Sequence, residues 1–306
     1  MEKRITVIGA GIMGHGIAQA CALAGNTVQL YDLKEEFLEK ATISIQNNLD
    51  SYVEQEMITA EEKVETLKRI LTSVDLQESV KEAQFIIEAI PEVIELKWNL
   101  FKELESMVNE NVIIASNTST LPLSKLITYV STPQRFIITH FFNPAHLVPL
   151  VEIVKHETTA QHVIDMTMQL IVSIGKTPVL LKKETPGFIA NRLQAALLRE
   201  ALHLLQNGVA DAKEIDTVIK SGPGFRWAFI GPLETADYGG LDTWKRVLDN
   251  LSPELANDVP ELIRLLVEQN HLGVKTESGI YDYSNVSVES RLKRRNENFI
   301  QLLKIK

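Results

Sequence analysis

One segment near the start of the chain, Arg4 to Asp32, constrains the fold more than any other: RITVIGAGIMGHGIAQACALAGNTVQLYD. The apolar run Ile5 to Ile8 enters the pattern Gly9-x-Gly11-x-x-Gly14, a helical stretch follows to Ala24, and Gly25-Asn26 reads as its stop. A second apolar run, Thr27 to Tyr31, ends on Asp32. Strand, tight turn, helix, strand, and an acid roughly twenty residues beyond the glycines form the order that a dinucleotide-binding unit requires. Gly9 permits the turn, Gly11 lets backbone N–H groups approach a pyrophosphate, and Gly14 lets the helix pack closely on the sheet. With Ile12 and Met13 in the same turn, the helix N-terminus offers unpaired N–H groups and a partial positive charge to the anion.

Asp32 also points to the cofactor. A carboxylate at the end of the second strand accepts hydrogen bonds from the adenine ribose and repels a 2′-phosphate. No arginine follows it, and Lys34 is the nearby cation, so NAD(H) is expected rather than NADP(H). The plain alternative for Asp32 is a solvated turn residue.

The 306 residues suffice for two domains and a large core. Hydrophobic content of 45% and charged content of 23% are those of a soluble globular protein. The net charge of −9 argues against a nucleic-acid partner. The single cysteine, Cys21, excludes an intramolecular disulfide and reads as a packed core thiol on the first helix. A strand begins after Met-Glu-Lys-Arg, so no leader is expected, and no apolar run approaches the ~20 residues needed to span a bilayer. Together these predict a cytoplasmic protein with no membrane partner.

Strand–helix alternation continues beyond the first unit. Lys34 to Glu56 reads as a long polar helix, and Thr59 with Glu62 as a capping box opening a second helix to about Ile70. This helical hairpin elaborates the basic unit. Gln84–Ala89, Asn111–Ala115, Arg135–Thr139, Leu150–Val154 and Thr177–Leu181 read as strands, with helices over Val93–Met107 and Ala160–Ser173. Near Lys183 the strands give out. Pro186-Gly187 opens a long apolar helix ending at Asn207-Gly208, and further helices start from Asp211, Pro232, Leu241 and Pro260. The fold class is therefore α/β: a Rossmann-type doubly wound sheet with a helical-hairpin insertion over residues 1–184, then an all-α domain over 185–306. The basic cluster Arg291 to Arg295 reads as a solvated helix face.

Polar residues concentrate where strands end: Ser116 to Ser119, His140 to Pro144, and Glu152 within the following strand. Ligands of open α/β sheets bind outside the carboxyl ends of the strands. A histidine oriented by a carboxylate, beside a hydroxyl donor, is equipped to remove a proton from a secondary alcohol. Spacing alone reads His140 equally well as a capping or core histidine. His146, His156 and His162 lack HxxxH or Cys/His ligand spacing, so no metal is expected.

The runs ASNTS, RFIITHFFNPAHLVPLVEIV and GKTPVLLKKETPGFIANRLQ, with GPLETADYGGLD and the terminal GVKTESGIYDY, resemble the L-3-hydroxyacyl-CoA dehydrogenase family, including its 3-hydroxybutyryl-CoA dehydrogenases. The resemblance spans nearly the whole chain. It implies a catalytic histidine at His140, its carboxylate partner at Glu152, a substrate-contacting serine at Ser119 and an active-site asparagine at Asn191. It also implies cofactor contacts from Glu92, Lys97, Asn117 and Asn143. By residue type alone Asn191 could be an exposed helix asparagine and Lys97 an ordinary surface helix lysine.

The implied reaction is NAD-dependent oxidation of a short L-3-hydroxyacyl-CoA to the 3-ketoacyl-CoA. Three departures support an alternative, a free β-hydroxy acid such as L-gulonate or L-carnitine. The hairpin turn reads VEQEMIT where CoA-binding members carry lysines, leaving Lys63, Lys68 and Arg69 nearby. Val148-Pro149 replaces the usual Met-Lys, and SGPGFRWAFIGPLET is longer than its counterpart. A non-catalytic NAD-binding protein is a third possibility, opposed by the intact set of Ser119, His140, Glu152 and Asn191. The apolar excess of Phe188–Leu205 and Leu262–Val267, with the resemblance, predicts a homodimer through the helical domain.

Overall fold

The structure, a computed structural model, describes residues 3–251, 261–272, 276–285 and 287–305. Contacts divide the chain into two compact units, Met1–Asn191 with Asn296–Lys306, and Arg192–Arg295.

The first unit is built on one eight-stranded sheet. Its elements are β1 (Arg4–Ile8), α1 (Gly14–Leu23), β2 (Thr27–Tyr31), α2 (Glu35–Glu54), α3 (Ala60–Lys68), β3 (Ile70–Ser73), α4 (Leu76–Val80), β4 (Phe85–Glu88), α5 (Ile94–Met107), β5 (Ile113–Ser116) and α6 (Leu123–Leu126). There follow β6 (Phe136–Phe141), β7 (Leu150–Val154), α7 (Gln161–Ser173), β8 (Thr177–Leu181) and the start of α8 (Ala190–Gln206). The strand order β3-β2-β1-β4-β5-β6-β7-β8 contains the Rossmann order in its first six strands. All neighbours are parallel except β6 and β7, which pair antiparallel with His140 directly opposite Glu152.

Residues alternate across the sheet and both faces are covered, so the central strands are apolar throughout. Phe85, Ile87, Ile113 and Ala115 join a core with α1, α2 and α7, including the buried Cys21. Ile86, Ile114, Phe136 and Ile138 join a second core with Phe101 and Leu104 of α5. Burial pushes the Cys21 thiol up to about 12, and a neutral thiol is what a core position holds.

Thr59 caps α3 as expected: its hydroxyl accepts from Glu62 N at 3.1 Å, and its own N–H donates to Glu62 Oε2 at 2.8 Å. The helix ends at Lys68, however, and Ile70–Ser73 forms β3, a strand that the sequence pattern assigns partly to the helix. β3 is a four-residue edge strand with no buried position. What makes it a strand is its pairing with β2, Val28 opposite Ile70, which no local pattern records. A second correction concerns α8. Gly187 (φ +74°) and Phe188 (φ +53°) are both left-handed, so the helix starts at Ala190 rather than at Pro186-Gly187.

The second unit holds the rest of α8, then α9 (Ala212–Ser221), α10 (Pro223–Trp227), α11 (Pro232–Gly239), α12 (Leu241–Leu251), α13 (Glu261–Glu268) and the start of α14 (Val288–Ile305). Asp211 opens α9 with its N–H donated to Glu214 Oε2 at 3.0 Å. The short α10 is not anticipated by the sequence pattern. The expected helix start at Pro260 and the Gly273-Val274-Lys275 stretch of the terminal motif lie outside the described residues.

Candidate active site

The glycine turn follows from contact distances. Gly9 has φ +100°, and a Cβ there would meet Ala89 O at 2.7 Å; a Cβ on Gly14 would meet Gly9 O at 1.7 Å. Around Gly11, by contrast, a Cβ would meet nothing within 4 Å. The turn is thus closed to side chains where it packs on the sheet and open where an anion would approach the backbone. Ile12 is exposed and Met13 packs on the core. Asp32 ends β2 beside this turn, its Oδ2 accepting from Ala10 N at 2.7 Å and its Oδ1 from Leu33 N at 2.7 Å. Each oxygen keeps a lone pair for a ribose hydroxyl. An open glycine cradle with a fixed acid beside it fits a dinucleotide such as NAD.

The end of β4 and the turn after it carry a second group of acids, Glu88 and Glu92. Glu88 is fully buried, with Lys97 Nζ at 2.5 Å, Ile90 N donating at 2.9 Å and the Ser116 hydroxyl at 2.6 Å. Burial pushes the Glu88 carboxyl up, against the Lys97 charge and these donors. Lys97 also lies 3.4 Å from Glu92 and its side chain is only 1% exposed. It is therefore no surface helix lysine, and it lies buried between Glu88 and Glu92. Burying both partners is tolerable only because further hydrogen bonds satisfy them.

Glu92 gathers the Ser116–Ser119 loop. Its Oε1 accepts from the Thr118 hydroxyl at 2.5 Å, Ser119 N at 3.0 Å, and Thr120 N and Oγ1 both at 3.1 Å. Burial raises this carboxyl, but those donors and Lys97 outweigh it and hold it below the usual range. Asn117 spends its Oδ1 on Phe141 N at 2.9 Å, tying the loop to β6 one residue beyond His140. Asn143 is exposed just past the end of β6.

His140 and Glu152 meet because β6 and β7 are in register, which puts their side chains on one face as cross-strand neighbours. His140 Nδ1 lies 2.9 Å from Glu152 Oε2, and both residues are buried. Glu152 Oε1 accepts from Ile189 N and Ala190 N, each at 2.9 Å. Two consecutive left-handed residues, Gly187 and Phe188, aim those adjacent amides at one oxygen, which is an anion-binding nest at a helix start. Burial raises the Glu152 carboxyl, but the hydrogen bond from His140 and the two amides prevail, leaving it below the usual range. Asn191 lies in the first turn of the same helix and donates from Nδ2 to Ser119 O at 3.2 Å. Phe142 and Phe188 flank the imidazole at ring distances of 4.4 and 5.4 Å.

The structure therefore brings together Ser119, His140, Glu152 and Asn191, and sets Glu92 and Asn117 beside them. Sequence reasoning missed Glu88, Thr120 and Phe188. Glu88 was findable, since it is an acid ending an otherwise apolar strand. Phe188 was not, because its left-handed backbone carries no residue-type signature. Among the described residues no group of His, Cys, Asp or Glu could hold a metal ion. None of the described helices is long and apolar enough to cross a membrane.

Comparison with known proteins agrees with this geometry. The 3-hydroxyacyl-CoA dehydrogenase NAD-binding domain matches residues 4–185, and the C-terminal domain of the same family matches residues 187–283. Hydroxyacyl-coenzyme A dehydrogenase of Sus scrofa mitochondria is 39% identical, over 92% of each chain. L-carnitine dehydrogenase of Oceanobacillus iheyensis is 35% identical over 98% of this chain and 97% of its own. 5-Formyl-3-hydroxy-2-methylpyridine 4-carboxylate 5-dehydrogenase of Mesorhizobium japonicum is 31% identical over 100% of this chain and 98% of its own. A crystal structure of an enzyme of that activity, described as an NAD+ dependent dismutase, superposes with a TM-score of 0.92. With both domains matched in order on a Rossmann sheet that carries an open glycine turn, the chain belongs to the 3-hydroxyacyl-CoA dehydrogenase family of NAD-dependent oxidoreductases.

Proposed function

We propose that the chain oxidises the L-3-hydroxyl of a short β-hydroxyacyl compound, with His140 as general base. The observation that carries this reading is the register pair His140–Glu152 at 2.9 Å, whose carboxylate also binds the start of the helix bearing Asn191. Facing Glu152 with Nδ1–H leaves the Nε2 lone pair of His140 for the substrate hydroxyl, a tautomer assigned from the hydrogen-bond network. As His140 takes that proton it becomes an imidazolium, and the ionised Glu152 stabilises it without itself being protonated. Ser119 and Asn191 hold the hydroxyl and the carbonyl two carbons away, which fixes the reacting geometry. Bound NAD supplies the hydride acceptor. Gly9, Gly11, Ile12, Met13 and Gly14 cradle its pyrophosphate and Asp32 its adenine ribose, while Glu92, Asn117 and Asn143 line the nicotinamide side, with Lys97 behind Glu92.

Two forms of the acyl group fit. The Sus scrofa relative and the Ser116–Ser119 and Phe141-Phe142 residues support a short L-3-hydroxyacyl-CoA, such as 3-hydroxybutyryl-CoA. The relatives named for L-carnitine and a pyridine carboxylate, which cover nearly all of this chain, support a free acid. The test is NADH release with L-3-hydroxybutyryl-CoA, L-3-hydroxybutyrate, L-gulonate and L-carnitine. Binding of NAD without turnover of any of them sinks the reading in favour of a silent NAD-binding protein.

Residues 1–184 carry the coenzyme in this reading, while 185–306 complete the substrate site and form a homodimer. Support for the dimer comes from the second unit itself, where Leu202 and Thr235 are the only buried positions among its described residues. Phe225, Phe229 and Leu233 are 71, 67 and 82% exposed. Apolar surface of that extent marks an interface. A sedimentation mass near the 34.3 kDa of one chain overturns it. A cytoplasmic location, where the coenzyme and a reducing milieu for Cys21 coexist, belongs to the same reading and is checked by cell fractionation.

A further inference from the structure

Glu88 is the last residue of β4, a strand otherwise made of Phe85, Ile86 and Ile87, and its side chain is fully buried. Packing alone would be served by another apolar residue there. An acid in such a place costs stability unless its neighbours answer it. Its Oε1 accepts from Ile90 N and from Lys97 Nζ, and its Oε2 accepts from the Ser116 hydroxyl. Ile90 lies against the glycine turn, since a Cβ on Gly9 would stand 3.0 Å from Ile90 N. Ser116 ends β5 and leads into the loop that carries Ser119. One buried carboxyl therefore joins the glycine turn to that loop.

Lys97 is shared unequally between two acids. Its ammonium lies 2.5 Å from Glu88 and 3.4 Å from Glu92. Glu88 is as buried as Lys97 itself, whereas the Glu92 side chain is 37% exposed. Attraction between charges is stronger in the interior than beside water, so Glu88 holds the ammonium inward. Glu92 is thereby left to give its Oε1 to the loop, where the Thr118 hydroxyl, Ser119 N, Thr120 N and the Thr120 hydroxyl all donate to it. Without the Glu88 charge the ammonium has one acid left. It would close on Glu92 Oε2 and turn that carboxylate away from its four loop donors.

From this unequal sharing we infer that Glu88 is a positioning residue: by holding Lys97 it leaves Glu92 to fix the Ser119 loop, and so sets where Ser119 meets the substrate. The substrate contact of Ser119 rests on the dehydrogenase reading above. Glu88→Gln is the test, because the amide still accepts from Ile90 N and bonds to the Ser116 hydroxyl while the charge is gone. Amide hydrogen exchange at Ser119 and Thr120 should quicken about tenfold. Ile189 N and Ala190 N, which Glu152 holds, are the internal reference and should stay within about twofold of the parent. On whichever of the four substrates above turns over best, kcat/KM should fall about tenfold. Binding of ADP, which carries only the adenine, ribose and pyrophosphate half of the coenzyme, should stay within about twofold of the parent. Adding Lys97→Met removes the pull on Glu92 and should return exchange at Ser119 and Thr120 to within about twofold of the parent. An ion pair that only holds the fold together gives a different pattern, with all four amides quickened and ADP weakened in step. That pattern, unchanged exchange at Ser119 and Thr120, or a double variant that fails to restore it overturns the inference. Should Glu88→Gln not fold, Glu88→Asp keeps the charge one methylene further from Lys97. It should quicken the same two amides about two- to fourfold and leave Ile189 and Ala190 alone, and no change at Ser119 and Thr120 again overturns the inference. If the parent turns over none of the four substrates, the dehydrogenase reading falls, while the exchange measurements still decide whether Glu88 fixes the loop.

Discussion

The two units handle their buried surface in opposite ways. In the first, two large apolar cores cover the faces of one sheet, and the acids inside it, Glu88 and Glu152, have every oxygen engaged. In the second, the strongly one-sided helices α9, α12 and α13 leave Val218, Leu248 and Val267 on the surface. An amphipathic helix is stable only when its apolar stripe is covered. The first unit finds that cover within the chain. The second does not find it among its own described residues, and the dimer proposed above would supply it from a second copy. The His140–Glu152 pair proposed as the reacting pair thus lies where the chain completes its own core, which is what a general base held by a second partner requires.

That contrast can be broken most forcefully at His140. His140→Gln should lower kcat by about 10²–10⁴-fold, the usual range for losing a general base, with NADH affinity within a few-fold of the parent. Steady-state rates and a fluorescence titration check it, and a rate within a few-fold of the parent makes His140 structural. Glu152→Gln should cost roughly 10²-fold, since an amide offers an N–H where the His140 and helix donors need an acceptor. The kcat profile should change on its acid side. Because the native Glu152 carboxyl is held below its ordinary value, its stabilising contribution is full above about pH 4.3 and fades as pH falls through the folded value. The variant should therefore lose stability at neutral pH but less of it on acidification.

Leu233→Glu probes the other unit. A truly solvent-exposed leucine tolerates this change within about 0.5 kcal/mol, whereas one covered by a second copy costs about 2 kcal/mol or more. Unfolding midpoints at several protein concentrations distinguish the two. A null effect removes this face from the interface. A smaller effect is expected at Lys176, whose ammonium donates to His146 O at 3.0 Å and Val148 O at 2.9 Å and pairs with no acid among the described residues. Burial pulls it down from 10.5 to about 8. Below pH 8 both folded and unfolded chains hold the proton, and the cost of burying charge is borne in full. Between 8 and 10.5 the folded state releases it first, so stability rises with pH, by on the order of 2 kcal/mol. Urea unfolding at pH 7.5 and 10 should show that rise in the parent and lose it in Lys176→Met. Smallest is Asp32→Ala, expected to weaken NAD about tenfold and to narrow its preference over NADP. Unchanged NAD affinity takes Asp32 out of the site.

Much of the first unit was legible in residue order. Gly9, Gly11, Gly14 and Asp32 specify a turn whose demands are local, because they arise from sterics within a few residues. Thr59 and Glu62 announced the start of α3 for the same reason. The end of that helix was not legible, because Ile70–Ser73 becomes a strand only through pairing with β2. The helix start at Ala190 was hidden likewise, since Phe188 is held left-handed by packing beside His140 and in the second core, not by its own preference.

By itself the sequence determined the α/β class, the glycine turn with its acid, and the polar residues at strand ends, since each follows from periodicity or local sterics. Only the tertiary structure decided which of those residues meet. The register of β6 against β7 sets Glu152 opposite His140, and a one-residue slip would turn Glu152 to the other face of the sheet. The same holds for Lys97, which local pattern allows on a surface and which Glu88, at 2.5 Å, draws into the interior. Register and burial depend on partners distant along the chain, so residue order states them only once the fold has brought those partners together.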